Sequence, residues 1–234
     1  MGLNLDFIEI GTSDFGTLLE SCSDNEKGMS IEPLKIYLDA LPNRSNVIKV
    51  NAALVPNNLY TTIDTYYIEP EVIEQHNLGW FMKGCNSVGK PHDFHITYPL
   101  VSLDDWHFNP DKHLIPTLNL LEKGLVTKIN VPCYTYARVL KDYDIDYVNY
   151  IKIDTEGQDA DLLNSILDYY LNSKKTFPKT ILFETNDHND TTKSLRVCKR
   201  LQSLGYKLKM GDLHSNWWED FHGGLFHDCI ATLQ

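Results

Sequence analysis

Short apolar runs alternate with stretches of helical spacing along most of the chain, which predicts an α/β protein. Residues 5–11 read as an apolar strand that runs into a turn punctuated by Gly11 and Gly16. Residues 14–21 then take helical spacing, with Asp14 placed to cap the exposed N–H groups. Residues 29–31 form a second strand. Pro33 opens a helix through Leu41 that lines up Leu34, Tyr37, Leu38 and Leu41 on one face, and Pro42-Asn43 stops it. Residues 47–54 follow as a third strand, or a strand plus a turn. Right-handed crossovers turn this β-α-β-α-β order into half of a doubly wound sheet.

Between residues 57 and 130 the periodicity loosens, with only residues 60–68 readable as a strand. A stretch of that length inside one domain predicts a lid or substrate-binding insertion. Order returns with a helix at 134–143 and a buried strand at 148–154 that ends on Asp154. A helix at 158–171 turns Leu162, Leu163, Ile166, Leu167 and Tyr170 inward. The strand at 180–183 runs directly into Glu184-Thr185-Asn186-Asp187-His188, and a helix at 191–204 stops at Gly205. Residues 206–210 and 225–233 close the chain as strands. With no helical pattern between them they should pair antiparallel. The whole reads as one domain, 1–234, with an insertion at about 57–130.

The length, 234 residues, suffices for a full core, and the formal net charge of −11 offers no basic stripe to a phosphate backbone. Nucleic acid is therefore disfavoured as a partner, and a small polar acceptor fits better. The five cysteines are odd in number and widely spaced, which points to a reducing compartment. No apolar run approaches the roughly 18 residues that span a bilayer, and no basic-then-apolar leader opens the chain. A cytoplasmic protein without membrane partners is expected.

The first turn carries Gly11-x-Ser13-x-x-Gly16, one residue short of the dinucleotide fingerprint and with serine where the middle glycine admits a pyrophosphate. That argues against NAD or FAD and for a nucleoside cofactor without phosphates, such as S-adenosylmethionine. Glu32 lies at the distance, about 20 residues on, where an acid meets ribose hydroxyls. Ligands of open α/β sheets bind beyond the carboxyl ends of the strands, where strand order reverses. Here the first and fourth strands flank that point. Their ends carry Glu9 and Gly11 on one side and Asp154 and Glu156 on the other, with Glu184, Asn186 and Asp187 nearby. Carboxylates so placed suit a cationic sulphonium. In the insertion, His92 and His95 suggest a metal pair but lack a third ligand at fixed spacing.

Residues 6–16, Ile31-Glu32-Pro33, Val50-Asn51-Ala52-Ala53 and above all Ile151-Lys152-Ile153-Asp154-Thr155-Glu156-Gly157, with the later Phe183-Glu184, resemble the FkbM family of S-adenosylmethionine-dependent methyltransferases. The resemblance covers residues 5–186 apart from the insertion. It implies a Rossmann-like class I methyltransferase sheet of seven strands, the last antiparallel, and O-methylation of a sugar or polyketide hydroxyl. Carried over by motif, Glu9 and Gly11, with Ser13 and Gly16 in the same loop, would shape the methionine end of the site. Glu32 would hold the ribose, and Asn51, Ala52 and Ala53 would border the adenine.

A sugar hydroxyl needs a base, or a divalent metal that lowers its pKa. Asp154, Glu184 and Asn186 or Asp187 form an oxygen-rich set suited to Mg or Mn. His188 and His214 are the base candidates, and Trp217, Trp218 and Glu156 the acceptor-binding ones. Methyltransferases of this type carry a helical lead-in before the first strand, so its absence points to a domain of a longer protein, joined to a glycosyltransferase that makes the acceptor. Two rivals share the fold: a nicotinamide oxidoreductase, disfavoured by Ser13 and by the lack of a Tyr-x-x-x-Lys pair after the fourth strand, and a non-catalytic cofactor-binding scaffold.

Overall fold

The computed structural model describes residues 2–14, 16–101, 114–185, 190–210 and 228–234. The chain divides into two compact units, Met1–Ile63 with Val131–Gln234, and Asp64–Asn130.

The larger unit is built on a seven-stranded sheet. In chain order it runs β1 (Leu3–Ile10), α1 (Leu18–Ser21), β2 (Gly28–Ile31), α2 (Lys35–Ala40), β3 (Val47–Val50), α3 (Tyr136–Asp142), β4 (Ile145–Ile153), α4 (Asp159–Ser173), β5 (Thr180–Glu184), α5 (Thr191–Ser203), β6 (Tyr206–Met210) and β7 (Asp228–Leu233). The strand order is β6-β7-β5-β4-β1-β2-β3, so the order reverses between β1 and β4. These two pair in parallel from Asn4↔Tyr147 to Ile10↔Ile153, after a register irregularity at Leu3. The last strand, β7, is antiparallel to both of its neighbours and sets Asp228 opposite Glu184.

Alternation along the strands divides the core in two. Ile8, Ile10, Ile151, Ile153, Ile181 and Phe183 join Leu162, Leu163, Ile166, Leu167 and Tyr170 of α4 and Val197, Cys198 and Leu201 of α5 in one buried cluster. Burying each of the large α4 side chains is worth about 1.5–3 kcal/mol, so this helix is anchored mainly by its apolar stripe. Phe7, Leu19, Cys22, Leu38, Leu41 and Val47 form a smaller cluster.

Residues 47–54 resolve into a strand plus a turn, with Ala53–Leu54 pairing in parallel with Cys133 and Tyr134. The first helix is shorter than its spacing suggests. Ser13 and Gly16 both lie in the left-handed region, at φ 46° and 63°, which breaks the helical path. The helix starts only at Leu18, and Thr17, not Asp14, caps it through a reciprocal bond with Glu20.

The unit Asp64–Asn130 is less irregular than its sequence reads. It contains helices Pro70–Gln75 and Asp93–Ile96, a 3₁₀ turn at Trp80–Lys83, and the paired short strands Tyr98–Pro99 and Thr117–Leu118. Ile68, Ile73, Met82, Cys85, Phe94 and Leu120 give it a core of its own. Elements of two to six residues are shorter than the window over which a period shows, so alternation could not reveal them. All five cysteines are buried free thiols, and no helix among the described residues is long and apolar enough to cross a membrane.

Candidate active site

The loop after β1 is held shut by Glu32 at the end of β2. Its Oε2 accepts the backbone N–H groups of Thr12 and Ser13, each at 2.9 Å, and its Oε1 accepts that of Leu34 at 2.9 Å. Ser13 can point its N–H at this carboxylate because its backbone is left-handed. Burial raises the pKa of Glu32, against the pull of those donors. Gly11 is needed for a different reason. A Cβ there would stand 1.8 Å from the Asp154 carbonyl oxygen, so only glycine lets the ends of β1 and β4 meet.

Glu9 is fully buried, and its oxygens are committed. Oε1 meets Lys152 Nζ at 3.0 Å, and both oxygens take the Leu18 N–H at 3.0 and 2.9 Å. It therefore fixes the start of α1 from below the cradle. Burial raises the Glu9 pKa while Lys152 and Leu18 oppose it. Lys152 also loses hydration, but the charges of Glu9 and Asp154 outweigh that loss and keep its pKa raised. Asn51 is exposed and spends its amide N–H groups on the carbonyls of Glu32 and Pro33, both at 2.9 Å. Ala52 and Ala53 are buried, which leaves Asn51 as the exposed member of that trio.

Beyond the ends of β4 and β5, Asp154, Glu156 and Glu184 each bring a carboxylate oxygen to within 4.8 Å of the others. Glu156 is aimed there by a left-handed backbone, φ 51°, followed by Gly157 at φ 108°. A non-glycine residue in that region stores strain, which persists where the surroundings hold it. Asp159, at the first position of α4, is completely buried beside them. Its Oδ2 accepts the Thr155 N–H and hydroxyl at 3.3 and 3.0 Å, whereas Oδ1 has no hydrogen-bond partner among the described residues.

Burial first, and mutual charge repulsion second, raise the pKa values of this group. Desolvation, then Glu156, raises Asp154; desolvation raises Glu156; and desolvation, then Asp154 and Glu156, raises Glu184. Asp159 is pushed up to about 7 by burial and by Asp154. Asp228 is raised by burial and opposed by Lys152. A set of oxygens short of positive charge and short of one hydrogen-bond partner is suited to a cation.

Of the residues singled out by sequence, the structure brings Asp154, Glu156 and Glu184 together, and it places Gly11, Ser13, Gly16 and Glu32 in one loop system. His188, His214, Asn186, Asp187, Trp217 and Trp218 lie outside the described residues. The insertion histidines behave as a cap: His92 Nδ1 accepts the Phe94 N–H at 3.1 Å, and His95 Nδ1 accepts the His92 N–H at 3.2 Å. Among the described residues, the only group of three or more potential ligands close enough to share a metal is the acidic one. Sequence reasoning passed over Lys152, Asp159 and Asp228. A lysine inside the buried run Tyr-Ile-Lys-Ile was a usable signal for the first. Nothing short of the β7 pairing marks Asp228.

A family model described as the methyltransferase FkbM domain matches residues 10–208. The chain belongs to the FkbM methyltransferase family. The matched span contains the Glu32 cradle, the Asp154–Gly157 turn and Glu184, and the mixed seven-stranded sheet is that of a Rossmann-like class I methyltransferase. No curated protein and no solved structure matches the chain.

The family implies S-adenosylmethionine, and the donor set fits it. Among the described residues Glu32 Oε1 accepts one N–H, that of Leu34, so a lone pair of this carboxylate remains for a ribose hydroxyl. Around the β1/β4 junction the acids Glu9, Asp154 and Asp228 outnumber Lys152, an excess of negative charge that suits a cationic sulphonium.

Proposed function

We propose that this FkbM-family protein transfers a methyl group from S-adenosylmethionine to a hydroxyl of a carbohydrate acceptor, with a divalent Mg or Mn ion held by Asp154, Glu156 and Glu184. The convergence of these three carboxylates beyond the strand ends carries the reading. Bound in the cradle, the cofactor supplies an electrophilic methyl on a positively charged sulphur.

The protein's own residues do the rest. Glu32 holds the ribose, and Glu9 with Lys152 keeps α1 and the loop above it in place. Asp154, Glu156 and Glu184 would hold the divalent ion, which would supply Lewis-acid chemistry that lowers the pKa of a hydroxyl. Glu156, turned towards the acidic group by its left-handed backbone, is a carboxylate candidate for the proton acceptor. As the acceptor oxygen gains its bond to the methyl carbon, the carbon–sulphur bond breaks and the hydroxyl proton passes to a carboxylate. His188 and His214 are the other base candidates, and Trp217 and Trp218 the aromatic candidates for the sugar ring.

Methyl transfer to a panel of glycans, with and without EDTA and added Mn, tests this. Activity indifferent to EDTA removes the metal, and full activity in both His188→Ala and His214→Ala removes those bases. Unchanged acceptor affinity in Trp217→Ala and Trp218→Ala removes the stacking role. Calorimetry that finds NADH binding in place of S-adenosylmethionine would turn the reading to an oxidoreductase. Cofactor binding without transfer to any glycan would turn it to a scaffold.

A further inference from the structure

Away from the acidic group, a cleft of about 550 Å³ opens between the turn at 56–58, the start of α3 and the flank of α4. That size is within the range of small-ligand sites, roughly 300–1,000 Å³. Its chemistry differs from that of the rest of the molecule. The chain as a whole carries a net charge of −11, yet among the described residues no charged side chain lines the cleft. Asn57, Asn58, Thr135, Ser165 and Asn172 line it together with the half-buried Tyr169.

The polar groups are of mixed sense. Asn57 Oδ1 is taken by the Leu59 N–H at 3.1 Å, which leaves the Asn57 amide N–H groups to donate outward. The Ser165 hydroxyl donates to the Leu162 carbonyl at 2.8 Å, so its oxygen is left to accept. Asn58 and Asn172 are exposed and can do both. The ring of Tyr169 is held edge-to-face against Tyr136 and Tyr170, with centroids 5.7 and 5.4 Å away. An oriented ring presents a negative π face, to which the C–H groups of a sugar are attracted. Neutral donors and acceptors around an aromatic platform match a molecule that carries many hydroxyls, each both donor and acceptor, and no charge. A phosphate, a nucleotide or an acidic peptide would find no cation among the described lining residues.

We infer that this cleft is a second carbohydrate-binding site, which takes a neutral sugar unit independently of the methyl-transfer site. Its occupancy does not require that the bound sugar be the methylated one, so it stands or falls apart from the proposed activity.

Saturation-transfer NMR on the full chain tests it, with methyl β-D-glucopyranoside, methyl α-D-mannopyranoside and N-acetyl-D-glucosamine as probes. At least one sugar is expected to give a signal that Asp154→Asn leaves unchanged and that Asn172→Arg lowers at least fivefold. Asn172 is exposed in the last turn of α4, so arginine there should not disturb folding; the thermal unfolding midpoint checks this. Asn58→Arg, on the opposite lip, should lower the same signal. The inference is overturned if none of the three sugars gives a signal, if the signal survives both arginine variants, or if Asp154→Asn abolishes it. It is also overturned if a neutral tripeptide amide displaces the sugar at equal concentration, since the cleft would then be a peptide site. Failure of methyl transfer with retained, Asn172-dependent sugar binding would sink the proposed activity and leave this site standing.

Discussion

Removing one charge from the acidic group should make the protein more stable, and only at neutral to alkaline pH. The carboxylate oxygens of Asp154, Glu156 and Glu184 lie within 4.8 Å of one another, and Glu184 is repelled in addition by Asp159 and Asp228. At an effective dielectric of about 20, two full charges at that spacing repel by about 3.5 kcal/mol. Burial already penalises the charged forms, and the repulsion adds to it, so the folded protein keeps protons and the pKa values of these groups are raised. Below the ordinary carboxylate pKa both folded and unfolded chains are protonated and nothing is lost. As pH rises past it, the unfolded chain ionises freely while the folded one does not, so stability falls by up to about 1.4 kcal/mol per pH unit per group until the folded pKa is reached.

Glu184→Gln removes that slope for one group. Urea unfolding in EDTA without cofactor, followed by far-ultraviolet circular dichroism, should show little difference from wild type at pH 4.5. At pH 8 the variant should gain about 2–4 kcal/mol. Millimolar Mg or Mn should stabilise the wild type at pH 8 and the variant much less. A variant that is destabilised at pH 8, or that differs from wild type equally at both pH values, would refute the reasoning, because the three carboxylates would then not be repelling one another.

Gly11→Ala must force the Asp154 carbonyl away from a Cβ built 1.8 Å from it; a loss of about 2–4 kcal/mol in urea unfolding, together with lost S-adenosylmethionine binding by calorimetry, is expected. Lys152→Met strands the fully buried Glu9 and should cost about 3–5 kcal/mol, whereas Lys152→Met combined with Glu9→Gln should recover most of it; equal loss in both would show that packing, not charge, is at stake. In the unit Asp64–Asn130, burial pushes His92 down to about 4 and His95 down to about 3. Their stabilisation is complete above the unfolded value near 6.5 and is lost as pH falls towards the folded ones, by up to about 2 kcal/mol per histidine at pH 5. NMR signals of Met82 and Phe94 should therefore collapse between pH 6 and 4, and unchanged signals down to pH 3 would contradict this.

The sequence alone determined the sheet and its hand of winding. Apolar runs such as 148–154 and 180–183, separated by the amphipathic spacing of Leu162, Leu163, Ile166, Leu167 and Tyr170, admit few other arrangements, because each stripe must find an apolar partner. It also marked Glu32, Asp154, Glu156 and Glu184, since strand-end residues beside the order reversal share one edge of the sheet whatever the details. Three things depended on the tertiary structure. Left-handed backbone at Ser13 and Gly16 shortened the first helix, and no local propensity announces it. The insertion's core is assembled from elements too short to have a period. Asp228, Asp159 and Lys152 became electrostatic partners of the acidic group only through pairings across the sheet and burial at the head of α4. Periodicity reports which way a side chain faces along its own element. Charge and pKa depend on distances between elements, and those exist only once the chain has folded.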